Sequence, residues 1–419
     1  MKTFAVLALS VLVSPSAWAR PTNEAEMCLI ETGPSQSRWV TEAKKMEMIK
    51  MIWDSGANQY DYFKENINFM DITDLPASLR SQPVEQMTVQ FPTQLMFTSE
   101  GMPLANKISQ AVMRKDLEKL TSFHNRYYRS QTGLQSANWV FDHVHGIIKS
   151  AGASKVRVEK FRHPKWLQPS VIITVPGKSN STIILGAHMD SISGTSVEDA
   201  MTSRAPGADD NGTGTVIVMD VLRAMLSSQK VLRGEAENTI ELHLYAAEEA
   251  GNLGSLEIFK KYKAEGRDVK AMMNKDMAGF TNGWKKAGKP VAFGVITDFT
   301  NDALNDFVRL VIKGVSKTHV SFWHPICLYF NFANYLIFFL KKYTRVPYVD
   351  GKCGYGCSDH AAAHRFGYPS AHIHESTSQY NNKDLHTIND VIELVDFGHC
   401  ANHAKLAIGF LYELAMNKF

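Results

Sequence analysis

Cysteine, net charge and long apolar runs are all scarce in this 419-residue sequence. Five cysteines are too few for a disulfide-knot scaffold at this size. A formal charge of +3, from 45 Lys and Arg against 42 Asp and Glu, gives no basic footprint for nucleic acid and no field for an anionic membrane surface. The uncharged stretch Pro325 to Leu340 has sixteen residues, short of the roughly 20 a spanning helix needs, and Asn331 and Asn334 interrupt it. No stable membrane partner is therefore expected. A Gly-x-Ser-x-Gly elbow, a His-Glu-x-x-His helix, internal repeats and low-complexity tracts are also missing, which removes serine-hydrolase, zincin, solenoid and disordered readings. What is present is ordinary globular usage, with 44% hydrophobic and 21% charged residues, 27 Gly and 15 Pro. Length then argues for two domains, or for one large α/β unit with an extension.

Met1-Lys2, an apolar run from Thr3 to Val13 and the small residues of Ala17-Trp18-Ala19 read as a cleaved signal peptide over 1–19, so a secreted or periplasmic location is expected. Pro15 and the short apolar run disfavour a membrane anchor. An exported chain meets oxidising conditions, which makes Cys353 and Cys357 a candidate small-loop disulfide around Gly354-Tyr355-Gly356. Cys28, Cys327 and Cys400 are not paired by their spacing.

Residues 20–102 are polar and weakly periodic, without a chemical motif. Helical spacing appears over 105–141, through Ile108, Val112, Leu117, Leu120 and Phe123, and again over 136–150. Strand and helix then alternate. Strands are expected at 171–175, 183–185, 240–246, 269–273 and 291–296, and helices at 214–226, 256–264, 302–312 and 392–416. This pattern argues for a three-layer α/β/α sandwich with a mixed, mainly parallel central sheet.

Acidic and histidine side chains fall where the strands end, the place where open α/β sheets bind ligands. His188 and Asp190 follow an apolar run, and Asp209-Asp210 lie in a Gly-punctuated loop that opens a helix. Glu248-Glu249 close a strand, Asp276 follows another, and His386 precedes the last helix. Singly, each has an ordinary explanation as a cap, a turn residue or a solvated loop. Together they form a hard carboxylate and imidazole donor set suited to one or two zinc ions or a related divalent metal.

In order along the chain, the motifs Gly186-Ala187-His188-Met189-Asp190-Ser191, Ala205-Pro206-Gly207-Ala208-Asp209-Asp210-Asn211, Ala246-Ala247-Glu248-Glu249-Ala250-Gly251, Asp276-Met277, Cys353 through His360 and Leu385-His386-Thr387 resemble the M28 peptidase family. The likeness is to its secreted bacterial leucyl aminopeptidases, and it extends from roughly Lys107 to Ala415. It implies a catalytic domain over 103–419 of the zinc-exopeptidase type that takes peptide substrates; a monomer is expected, although the sequence does not itself give the oligomeric state. It implies two Zn2+ per subunit, one held by His188 and Asp276, the other by Glu249 and His386, with Asp210 between them and Asp209 a bystander. Asp190 would orient His188. Glu248 would be the general base for a zinc-activated water, and Tyr355 would donate to the oxyanion. Residues 20–102 would be a removable propeptide, which makes the chain a zymogen.

Three departures from that family's pattern stand out. The substrate pocket, formed by Met277, Ile296, His372 and His374, carries histidines, with Ser378 and Asn381 nearby, where apolar groups are usual, so a polar or basic N-terminal residue is expected rather than leucine. An atypical hydrophobic insertion lies at about 318–345, and the segment 20–102 precedes the catalytic unit. A glutaminyl cyclase with one metal, or a non-catalytic binding protein on the same scaffold, are the alternatives.

Overall fold

The computed structural model describes residues 27–33, 36–54, 69–80, 85–194, 196–314 and 343–419. The expected signal over 1–19, Cys327 and the uncharged stretch 325–340 lie outside the described residues.

Near the N-terminus β1 (Met27–Gly33), β2 (Gln36–Thr41) and β3 (Met70–Asp71) form an antiparallel sheet in the order β2-β1-β3, against which helix α1 (Glu42–Asp54) packs. A buried ion pair, Lys45 Nζ to Asp71 Oδ2 at 2.7 Å, ties α1 to β3.

The main sheet adds β4 (Arg157–Phe161), β5 (Ser170–Val175), β6 (Ser179–His188), β7 (Asn238–Tyr245), β8 (Val269–Lys275), β9 (Phe293–Ile296), β10 (Tyr348–Gly351) and β11 (Ser370–His374). Their order is β10-β9-β11-β8-β6-β7-β5-β4. The central block β11-β8-β6-β7 is parallel throughout, whereas β5 and β4 join antiparallel on one side and β9 joins β11 antiparallel on the other. β7 and β8 are buried nearly end to end, as strands covered on both faces must be. Register brings the carboxyl ends level: His188 sits opposite Tyr245, and Gly186 opposite Asn274. The residues just past three neighbouring strands therefore share one rim.

Helices α2 (Thr98–Ala105), α3 (Gln110–Ser122), α4 (Gln131–Ser150), α5 (Gly214–Met225), α6 (Leu253–Ala264), α7 (Asp302–Lys313) and α8 (Phe397–Met416) complete the layers. One face of the sheet packs on α5, α8 and α4, and the other on α6 with Ala361, Ala362 and Phe366. In α7 the buried Leu304, Phe307, Val308, Val311 and Ile312 recur at helical spacing. Asn301 caps its start by accepting from Leu304 N, and Gly314 at φ 65° ends it. Among the described residues no helix is long and apolar enough to cross a membrane.

Three sequence expectations need adjustment. The helical pattern over 105–141 is split, because Phe123 turns extended and Ser130 caps a new helix through Gly133 N. The terminal helix begins at Phe397 rather than 392, because the Asp396 carboxylate accepts from Gly398 N and His399 N and stops the helix there. β1 to β4, β10 and β11 were not expected as strands. Residues 85–105 also belong to the main core: Leu95, Leu104 and Ala105 are buried in it, and Glu413 on α8 accepts from Met96 N, Phe97 N and Thr98 Oγ1.

Candidate active site

Each cluster residue is placed by a strand end or by the loop that follows it. β6 delivers His188, the last residue of the strand, with Asp190 two residues on. The loop after β7 delivers Glu248 and Glu249, the one after β8 Asp276, and the turn before α5 Asp210. His386 comes from the segment ahead of α8. Residues at positive φ crowd this rim: Ala247 at 58°, Met277 at 56° and His386 at 57°. Non-glycine residues held there typically cost about 1–3 kcal/mol each, and such strain collects at functional sites.

The expected ligands converge. His188 Nε2 lies 3.2 Å from Asp210 Oδ1 and 3.3 Å from Asp276 Oδ1, with Glu248 Oε2 at 3.9 Å. His386 Nε2 lies 2.6 Å from Asp210 Oδ2 and 2.9 Å from Glu249 Oε2. Donor atoms of His188, Asp210 and Glu249 fall within 4.8 Å of one another, as do those of His188, Glu248 and Asp276. Asp210 thus turns one oxygen to each histidine.

Burial and charge crowding perturb the group. Burial pushes the Glu248 carboxyl well above its ordinary value; His188 opposes this, while Asp276 and Glu249 add to it. Burial, with Asp210 nearby, raises Glu249 to about 7. Burial alone would depress His386, but the facing Glu249 and Asp210 carboxylates lift it to about 10. Four acids share this space with two imidazoles, and the buried Glu249 Oε1 has no hydrogen-bond partner among the described residues. Excess buried negative charge of this kind is costly unless a cation joins it. The donor set, oxygen and imidazole nitrogen, fits zinc or a similar divalent ion.

Two loops are held by neighbours that sequence reasoning only partly found. Asp190 is 3.4 Å from His188 Nδ1, and its two oxygens also accept from Glu248 N at 3.1 Å and Glu249 N at 3.2 Å. It therefore holds the Glu248-Glu249 turn and stands beside the histidine ring. Asp390, which the sequence did not single out, accepts from Asp209 N at 3.1 Å and Asp210 N at 3.0 Å. Only the fold brings it to that loop. Buried Arg126 donates to the carbonyls of Met189, Pro206 and Gly207, bracing the His188 and Asp210 loops from behind. Gly207, at φ 51°, is required here because a Cβ would meet Asp210 O at 2.5 Å. Asp209 faces away from the histidines: its Oδ1 accepts from Gly279 N at 3.0 Å.

The same cleft is lined by Met277, Ile296, His372, His374 and Tyr355, so the expected pocket residues and the expected oxyanion donor all reach it. His372 pairs across strands with Ile296 and Asn274. Cys353 and Cys357 are joined as a disulfide around Tyr355, whereas Cys28 and Cys400 are buried thiols. Burial raises the Tyr355 pKa above its ordinary value, with Glu248 next in effect, which keeps the hydroxyl protonated. Ile49 and Phe69, from the N-terminal unit, also line the cleft, which was not foreseen.

Residues 170–321 match the sequence profile of peptidase family M28. Leucine aminopeptidase 1 of Uncinocarpus reesii is 42% identical over 433 aligned positions, covering 99% of each chain. Among solved structures, the LapA aminopeptidase of Legionella pneumophila superposes with a TM-score of 0.71 at 23% identity, over 91% of each chain. Porphyromonas gingivalis glutaminyl cyclase gives 0.53 at 16% identity, over 74% of this chain and 99% of the other. At those identities the two structural likenesses concern the fold alone.

Proposed function

The chain belongs to peptidase family M28 and is an aminopeptidase, and from that premise we propose that it removes N-terminal residues from peptides with two zinc ions held by the rim cluster. One observation carries the reading: the two Asp210 oxygens face two different histidines, at 3.2 Å and 2.6 Å. A carboxylate shared between two ions needs that arrangement. His188 and Asp276 would hold one ion, and Glu249 and His386 the other. Bound there, the metal pair would polarise the substrate carbonyl and lower the pKa of a water to about 7.

The protein's own groups handle protons and position. Glu248 takes the proton of the attacking water as a carboxylate, with a proton affinity that burial raises, and then delivers that proton to the leaving amine. The Tyr355 hydroxyl donates to the developing oxyanion, a contact of a type worth about 2.7–4 kcal/mol. Metal analysis of the purified chain tests the count. Two zinc ions per chain, with a loss on Asp210→Asn, support the reading. A single ion would favour the glutaminyl cyclase alternative. A non-catalytic binding protein would be expected to have lost ligands, and the five expected ligands and Glu248 are all present.

The side-chain preference we propose is polar, because His372, His374, Ser378 and Asn381 line the cleft. A basic residue is less favoured than sequence suggested. The acids lining the cleft are the four of the cluster, and Lys352 and Lys383 line it too. A panel of Leu, Phe, Ser, Gln, Lys and Arg anilides decides, and a strong leucine preference would sink this part.

Export through the 1–19 signal, and removal of the segment that follows it, are also proposals. The second is supported by Ile49 and Phe69 standing in the cleft wall. Because residues 85–105 pack into the core, the removable part should end ahead of Glu85 rather than at 102. A chain beginning at Glu85 should fold and gain activity over the signal-free chain, whereas one beginning at Leu104 should not fold; no gain in the first would exclude inhibition.

A further inference from the structure

Beside the rim cluster, and sharing no residue with it, two sulfurs and an imidazole meet. One donor atom each of Cys353, Cys357 and His372 lies within 4.8 Å of the others, and all three residues line the cleft. His372 is held firmly. It is 1% exposed, it pairs with Asn274 and Ile296, and its ring stacks on that of buried His360 at 4.6 Å and 6°. Its Nδ1 is 3.5 Å from Asn274 Nδ2, and Asn274 Oδ1 is buried without a partner among the described residues. A flip of that amide would offer an acceptor to a ring N–H, the kind of outer contact that orients a ligating histidine.

We propose that reduction of the Cys353–Cys357 disulfide creates a further metal site, in which both thiolates and the His372 imidazole hold one zinc-like ion. Two thiolates and an imidazole are a zinc donor set, and the Cys-x3-Cys spacing is within the range such sites use; a water completes the tetrahedron. The steps balance. A water-soluble phosphine and one water give the phosphine oxide and two thiols, the arriving ion displaces one proton from each thiol, and His372 binds through a nitrogen lone pair. Under oxidising conditions the disulfide keeps the site closed. An ion there would fill the side-chain pocket and hold the loop that carries Tyr355. That inhibitory consequence rests on the two-zinc reading; the binding itself does not.

The test uses the full-length holoenzyme, oxidised or phosphine-reduced, titrated with Co2+. Bound metal per chain and the thiolate-to-cobalt charge-transfer band are read together. The reduced protein should bind one more ion than the oxidised one and show the band, and His372→Met should weaken that ion by roughly tenfold or more. Equal metal in both redox states overturns the proposal, and so does an extra ion whose affinity His372→Met leaves unchanged. Loss of the near-ultraviolet circular dichroism on reduction alone would overturn it as well, since the site needs the folded cleft. The rim cluster contains no thiolate, and Cys28 and Cys400 are thiols in both redox states, so a band that appears only on reduction reports on this site whether or not that cluster holds two ions.

Discussion

Asp190→Asn should separate the positioning of the site from its chemistry. The wild-type carboxylate is fully buried and takes the N–H groups of Glu248 and Glu249 on its two oxygens, with His188 Nδ1 at 3.4 Å. An asparagine supplies one accepting oxygen, and its amide hydrogens must confront the other N–H. The loss is one charge-assisted hydrogen bond plus an unpaired buried donor, about 1.5–3 kcal/mol against the productive arrangement of the turn. The same change weakens the orientation of His188. At 1.4 kcal/mol per tenfold, zinc affinity should fall about 10- to 100-fold, in the range seen for groups that orient a metal ligand. At saturating zinc, kcat should fall by a similar factor with KM little moved, because the misplaced Glu248 acts in the chemical step. Chelator competition and anilide kinetics measure the two. Unchanged zinc affinity together with unchanged kcat would refute the role given to Asp190.

Acid should destabilise the fold through histidines buried in neutral form. Burial depresses His360 to about 3 and His399 to about 4. Between those values and the unfolded value near 6.5 the unfolded chain binds more protons, so stability is intact above about pH 6.5 and declines as the pH falls. At about pH 5 each costs about 2 kcal/mol. Urea unfolding at the two pH values should show the loss, and His360→Leu should flatten it; an unaltered slope would contradict the assignment. In the pocket, the pair His372→Met and His374→Phe should raise kcat/KM for a leucine anilide by about 10-fold or more, from about 1–3 kcal/mol of regained apolar contact. No gain would show that these histidines do not set the preference.

How legible the protein was in its sequence depended on whether the signal was local. The strands leading to His188, Glu248 and Asp276 announced themselves as aliphatic runs that end in acids, and the rim followed from parallel topology. β11 did not, because Ser370-Ala371-His372-Ile373-His374 reads as a mixed polar segment and is buried only by the fold, between β8 and β9 and against α7 and residues 360–365. Asp396 hid the start of α8, since a capping aspartate inside an otherwise periodic stretch looks like one more polar position. Asp390 and the pair Ile49 and Phe69 are functional neighbours only through chain segments far apart in sequence. The motif positions showed which residues meet; distances were needed to show that each Asp210 oxygen faces its own histidine.

Glu248→Ala, compared with wild type in zinc content and in turnover of an aminoacyl anilide, tests the central claim most directly. Glu248 is assigned to proton transfer and not to holding metal, so two zinc ions should remain bound while activity falls by about 10²–10⁴-fold, the contribution typical of a general base. Retained activity with both ions in place would contradict the account.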